Sequence, residues 1–217
     1  MSDTLVERLG KLDTCAVSDA LDKLGIKGVV VGLRPLSVQK RIAGRTVTVR
    51  LKSKGNETST RHLGTGAIEA ANPGDVIVID HRQRADAAGW GGILSTAAKV
   101  KGVSGVIVDG ACRDIDESRG LEFPVFGRSA VPLTARGRVV EDCFNEPIEI
   151  GGITVTPGDL VLADGSGVAF IAAGQADEVI GAAEEIAARE AAMTKAVLAG
   201  EPVSTVMGKS YENMLGR

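Results

Sequence analysis

Hydrophobic positions follow a helical rhythm at both ends of the chain and a strand rhythm through most of its middle. Leu5, Leu9 and Leu12 fit one helix face, and TCAVSDALDKLG (14–25) follows as a second helix that Gly25 is placed to stop. VVVGLRPLS and RTVTVRLK predict strands. ETSTRHLGTGAIEAA predicts a helix, NPGD a turn, and VIVID (76–80) a short strand buried on both faces. A loop is expected through HRQRADAAGWGG, followed by a small-residue helix, ILSTAAKVKG. VSGVIVDG predicts a second buried strand, CRDIDESRGLE opens a short helix, and FPVFG predicts another strand. Further on, PIEIGGITVTPGDLVLADGSGVAFIA sets short strands between Gly and Pro turns. A long helix over about 176–199 is stopped by Gly200, Glu201 and Pro202, and the tail VSTVMGKSYENMLGR is expected extended or partly helical.

Buried, parallel-type strands come first and antiparallel-type strands later. That order predicts an α/β architecture with more than one sheet. No low-complexity linker interrupts the chain, so a single domain over 1–217 is expected. The phrase PGD, an apolar run and Asp occurs as PGDVIVID (73–80) and again as PGDLVLAD (157–164). A recurring turn chemistry explains this more simply than duplication: Pro presets φ, Gly permits positive φ, and Asp bonds back to the backbone.

Composition narrows the function. Hydrophobic residues make up 44% of the 217 but aromatics only 3%, so the core must be aliphatic. A net charge of −3 leaves no basic footprint for nucleic acid. No apolar run approaches the roughly 18 residues of a membrane span, and the N-terminus lacks the pattern of a secretory signal. The three cysteines are widely spaced, which points to reduced thiols and a cytoplasmic protein. With two histidines, His62 and His81, a His-rich zinc site is disfavoured, and His81 is expected at the surface. There is no Gly-x-Ser-x-Gly elbow, and Cys112 is expected to be a small buried thiol.

Three places carry candidate chemistry. In GWGGILSTAAK, Gly89, Gly91 and Gly92 lead into a helix whose free amides could receive a carboxylate or phosphate, although a flexible turn gives the same pattern. In DGACRDIDE, Asp114 and Glu117 have capping-box spacing. The alternative is that Arg113 and Asp114 emerge at the C-terminal end of a buried strand, to grip an oxyanion and a hard cation. Glu190 falls on the apolar face of the closing helix, with Val179, Ala183, Ile186, Met193 and Val197. It either pairs with a neighbouring cation or points into a site, possibly one on another subunit.

Gly92, twenty intervening residues, Arg113-Asp114, two residues and Glu117 resemble the signature of the ribonuclease E activity regulator A-like (RraA-like) family. TCAVSDAL, AANPGDVIVID, GGILSTAAKVKGVSGVIVDGACRD and PGDLVLADGSGV extend the resemblance over most of the chain. It implies an α/β swivelling β/β/α fold and a homotrimer or hexamer, with the closing helix and tail packing on a neighbouring subunit. It implies Mg2+ or Mn2+ on Asp114, and Arg113 on the keto oxygen of a 2-oxo acid substrate. The backbone around Gly91, Gly92, Ile93 and Leu94 would then cradle the substrate carboxylate, and Glu190 would act from the adjacent subunit. The implied activity is that of a metal-dependent pyruvate aldolase on 4-hydroxy-4-methyl-2-oxoglutarate or a related acid, with oxaloacetate decarboxylation beside it. The alternative is a non-enzymatic protein regulator of ribonuclease E. The family's aldolases commonly carry Asp where this chain has Gly92, so an acid beside the metal is expected to be missing.

Overall fold

The computed structural model describes residues 3–56 and 61–208. In chain order the elements are α1 (Thr4–Leu9), α2 (Thr14–Leu24), β1 (Val29–Val30), β2 (Arg34–Pro35), β3 (Ile42–Ser53), α3 (Thr65–Ala70), β4 (Val76–Ala88), α4 (Gly92–Lys101) and β5 (Gly105–Cys112). They continue with α5 (Ile115–Gly120), β6 (Val125–Ala130), β7 (Val139–Phe144), β8 (Ile148–Ile150), β9 (Ile153–Val155), β10 (Leu160–Ala163), β11 (Val168–Ile171), α6 (Ala176–Leu198) and α7 (Val203–Val206). The expected α/β class holds. Among the described residues no helix is long and apolar enough to cross a membrane. Residues 57–60, in the segment predicted as helix, and 209–217 of the tail lie outside the described residues.

The long strand β3 organises the sheet. Strands β3, β4, β5 and β6 run parallel in that order. On its other edge β3 pairs antiparallel with β10 through Ile42–Arg45 and with β7 through Val49–Ser53. β11 and β1 extend the sheet beyond β10, β2 closes the β6 edge, and β8–β9 is a separate hairpin.

Strand alternation then builds three cores. Ile77 and Ile79 of β4 face α3 and α4 with Trp90, Leu94 and Ala98, whereas Val76 and Val78 face the opposite way, into a core with Ile107, Phe126, Ile150, Val161 and Phe170. Leu160 and Leu162 of β10 turn outward against α1, α2 and α6, through Leu9, Val17, Leu21, Val179, Ile180 and Ile186. Burying each such aliphatic side chain contributes about 1.5–3 kcal/mol.

The two PGD turns have matching chemistry. Gly74 and Gly158 have φ of +93° and +88°. Asp75 accepts from the Asn72 amide and Asp159 from the Thr156 amide, each at 2.7 Å. Yet β4 runs parallel to β3 and β10 antiparallel, so what recurs is the turn, not a larger unit.

Three expectations need correction. VVVGLRPLS forms two two-residue strands around a turn at Gly32, whose φ is +87°. The expected loop after VIVID is largely strand: β4 continues to Ala88 through an irregular stretch in which Arg82 and Gln83 have positive φ. His81 is therefore buried, with Nε2 2.8 Å from the Ala87 carbonyl. A Cβ at position 110 would lie 2.5 Å from the His81 ring, so Gly110 is what leaves room for it.

Candidate active site

The site forms where β4 and β5 end. The Arg113 amide donates to the Trp90 carbonyl at 3.0 Å, holding the segment after β5 against the Trp90-Gly91-Gly92 entry to α4. Together they line a cavity of about 320 Å3, whose wall includes Gly91, Gly92, Ile93, Leu94, Arg113 and Asp114. All six residues assigned substrate or metal roles by resemblance thus come together on one wall, while Glu190 is not on it.

Asp114 is not a helix cap. Its φ is +54°, in the left-handed region, and its side chain makes no capping bond to α5. The carboxylate instead turns back to accept from the Gly92 amide at 3.0 Å and from Arg113 Nε at 3.0 and 3.2 Å. Burial alone would raise its pKa, but the Gly92 amide and the Arg113 guanidinium outweigh burial and hold it below the ordinary carboxylate value. Backbone strain of this kind in a non-glycine residue costs about 1–3 kcal/mol and is retained where surrounding structure over-determines it.

A buried polar chain supplies that surrounding structure. Trp90 Nε1 donates to Ser95 Oγ at 2.9 Å, and Ser95 Oγ lies 2.8 Å from Ser118 Oγ. Ser118 returns to the Asp114 carbonyl through its amide at 3.1 Å and its hydroxyl at 3.3 Å. Both serines are fully buried. This connection between α4 and α5 escaped the sequence reading, because isolated serines in helices carry no pattern.

The glycines act by leaving space. Gly91 has extended backbone, yet a Cβ there would lie 2.8 Å from Asp114 Oδ2. A Cβ on Gly92 would overlap the Glu117 carboxylate. Glu117 thus fills the room that a side chain at position 92 would need, and an acid stands beside Asp114 without an Asp at 92. Helix α4 has no side-chain cap, so the amides of Ile93 and Leu94 at its start are available to a ligand anion.

The other charged residues of the wall are basic. Lys54, Arg61 and Arg136 join Arg113, against Asp114 as the acid of the wall. The Arg61 guanidinium lies 4.8 Å above the Phe144 ring and 3.7 Å from Glu141, whose other oxygen accepts the Gly64 amide at 2.7 Å. His62 also lines the cavity. Cys112 does not: it is buried, and burial raises its pKa far above that of a reactive thiol.

Glu190 sits elsewhere in this chain. Partial burial raises its pKa first, and Asp19 and Asp13 beside it add to the rise. Beyond it, Val197 and Leu198 at the end of α6, and Val203 and Met207 in and after α7, are exposed.

Comparison with known proteins bears on this geometry. The RraA-like family model (Aldolase/RraA) matches residues 14–170. A protein of Halalkalibacterium halodurans named "putative 4-hydroxy-4-methyl-2-oxoglutarate aldolase" is 34% identical over 186 residues, 86% of this chain and 85% of that protein. Protein DlpA of Legionella pneumophila is 31% identical over 202 residues, 92% of this chain, but the match spans only 33% of DlpA. The structure of Streptomyces coelicolor RraAS2, described as an unusual member of the RNase ES inhibitor RraA protein family, superposes with a TM-score of 0.79 at 26% identity, covering 88% of this chain and 95% of that one. The swivelling α/β class expected from the motif agrees with these neighbours.

Proposed function

Because the chain belongs to the RraA-like family, we propose that the cavity at Arg113 and Asp114 cleaves a 4-hydroxy-2-oxo acid, 4-hydroxy-4-methyl-2-oxoglutarate or a close analogue, and decarboxylates oxaloacetate beside it. The observation that carries this reading is Asp114 itself. An ionised, left-handed aspartate at the cavity wall, its carboxylate turned away from its own helix towards the Gly92 amide and Arg113, sets a carboxylate for a cation beside the anion-binding start of α4.

The donor set suits a hard dication. Mg2+ is commonly held by one or two carboxylates, with the other positions left to water and substrate. Asp114, with Glu117 alongside, has that character, and no group of three or more potential ligands occurs among the described residues. Asp114 would hold Mg2+ or Mn2+, which when bound supplies Lewis acidity to the 2-oxo acid.

The chain's own residues do the rest. The amides of Ile93 and Leu94 at the start of α4 receive the substrate carboxylate, with Gly91 and Gly92 allowing its close approach. Arg113 uses Nε on Asp114, and its two terminal nitrogens have no partner among the described residues. They donate to the 2-oxo oxygen as it gains enolate charge. Loss of the C4 hydroxyl proton lets the C3–C4 bond break, giving a carbonyl product and pyruvate enolate, and protonation at C3 yields pyruvate. In oxaloacetate CO2 leaves instead, and the same enolate remains. Glu190 would serve the cavity of a neighbouring copy in a homotrimer or hexamer.

The test is pyruvate release, followed with lactate dehydrogenase, from both substrates with Mg2+, with Mn2+ and with EDTA. Turnover is expected with either metal and not with EDTA. No turnover under any condition would instead favour a protein-binding regulator of ribonuclease. Gly92 in place of the aldolases' Asp is the observation on that side.

A further inference from the structure

The parallel strands carry a second polar cluster, on the face of the sheet turned away from α3 and α4. Val78, Ile107 and Phe126 point from β4, β5 and β6 into the core shared with the β8–β9 hairpin. Two residues further along each strand, Asp80, Asp109 and Arg128 fall on the same face, and Arg50 of β3 pairs with Asp80 in register. The row across the four strands is therefore Arg50, Asp80, Asp109, Arg128. Three of these side chains are engaged. Arg50 Nε donates to Asp142 at 2.8 Å. Arg128 Nε donates to Asp109, whose other oxygen accepts the Gly151 amide of the hairpin turn at 3.1 Å. Asp80 is left over. One of its oxygens accepts the Arg82 amide at 3.0 Å, and the other has no partner among the described residues, although the residue is only 6% exposed. Burial raises its pKa against the lowering by the Arg82 amide and guanidinium, and Asp109 adds to the rise. Asp80 opens on a cavity of about 820 Å3, separate from the one at Arg113 and Asp114. The wall carries four carboxylates, Asp80, Asp109, Asp142 and Glu149, against the guanidiniums of Arg50 and Arg82. A buried carboxylate oxygen without a compensating donor is costly, and the C-terminal ends of parallel strands are where α/β sheets place ligands.

We infer that this cavity binds a primary ammonium group on the free oxygen of Asp80, so that an amine-bearing small molecule is a second ligand of the chain. The inference does not rest on the 2-oxo acid reading of the other cavity. One free oxygen suits the point donation of an ammonium better than the two-pronged fork of a guanidinium. A dication would meet only that oxygen, because both oxygens of Asp109 are occupied. The excess of acids on the wall draws a cation in.

The probe is n-butylammonium, titrated into the full chain and followed by the NMR shifts of the Arg82 and Gly151 amides, which donate to Asp80 and Asp109. Both amides are expected to shift saturably, with half-saturation on the order of millimolar. n-Butanol has the same chain without the charge, and n-butyltrimethylammonium has the charge without an N–H. Each should bind at least about tenfold more weakly. Asp80→Asn keeps an acceptor for the Arg82 amide and should weaken n-butylammonium by about the same factor. If n-butylammonium moves neither amide, the inference falls. It falls too if the trimethylated probe binds equally well or the affinity survives Asp80→Asn, since diffuse charge then explains the shifts. Ca2+ moving both amides where n-butylammonium does not would make the cavity a metal site instead. Should Asp80→Asn fail to fold, the comparison of the three organic probes on the parent chain decides alone.

Discussion

Asp114 and Glu190 are both carboxylates set where a carboxylate is awkward, and the chain treats them oppositely. Asp114 occupies strained backbone, but an amide and a guanidinium compensate its charge and a buried serine chain fixes its carbonyl. Its pKa is lowered. Glu190 occupies ordinary helix, and its surroundings are Asp13 and Asp19, so its pKa is raised. The contrast teaches where this chain is self-sufficient. The cavity around Asp114 is assembled within one copy, whereas Glu190 stands beside two further acids, Asp13 and Asp19, and the end of its helix leaves Val197 and Leu198 exposed.

The largest effects should follow from breaking the compensated side. Asp114→Ala should lower kcat/KM for pyruvate release at least 1,000-fold, because the cation site goes with it. Arg113→Lys should cost about 100-fold, since a point charge does not reproduce a fork that spans Asp114 and an enolate oxygen. Wild-type rates in either variant, in the coupled assay, would return Asp114 to a structural role.

Next comes the space shared by Gly92 and Glu117. Gly92→Asp alone should destabilise the chain by about 1 kcal/mol, because its Cβ displaces the flexible end of Glu117 and sets a second carboxylate beside it. Gly92→Asp with Glu117→Ala should recover most of that loss. A denaturant-unfolding cycle measures the coupling, and additive single effects would show that the two positions do not compete for one space.

Ser118→Ala is expected to cost about 1–2 kcal/mol in the same unfolding experiment, by removing the hydroxyl that bridges Ser95 and the Asp114 carbonyl. It should also weaken the cation dependence of turnover, raising the Mg2+ needed for half-maximal rate. A stability loss with unchanged Mg2+ dependence would mean that the serine chain holds α5 without tuning Asp114.

The difference between the two regions also marks what the sequence could reveal. Local period and turn chemistry were enough to read α2 with its Gly25 stop, β5, α4, α6 and both PGD turns, because each is decided within a few residues. The Gly92–Arg113–Asp114–Glu117 spacing located the cavity, since adjacent parallel strands must bring their ends together. The course of β4 beyond Asp80 was not legible. HRQRADAA breaks alternation at two irregularities, and His81 is buried only because Gly110 on the next strand leaves room for it. Lys54, Arg61 and Arg136 were equally hidden, as three polar residues in three connecting segments have no common pattern until β3 and β7 pair. The serine chain was hidden for the same reason.

The smallest effect tests the uncompensated side. A carboxylate whose folded pKa is raised favours the folded state most when protonated. The stability linked to Glu190 is therefore greatest below its unfolded pKa, near 4.5, and declines as pH rises through the folded value. Glu190→Gln removes that decline. In dilute protein at neutral pH the variant should melt about 1 °C higher than the parent, with the gap closing as pH falls below 4.5. Asp19, raised first by burial and then by Asp22 and Asp13, would ease in the same variant if Glu190 is part of one acidic face. At high protein concentration the sign becomes diagnostic. If a neighbouring copy meets Glu190 with a cation or a cation-bearing cavity, Glu190→Gln should lower the melting temperature of the assembly and slow pyruvate release together. A gain in stability at every concentration, with the rate untouched, would confine Glu190 to its own chain and leave the cavity at Asp114 complete without it.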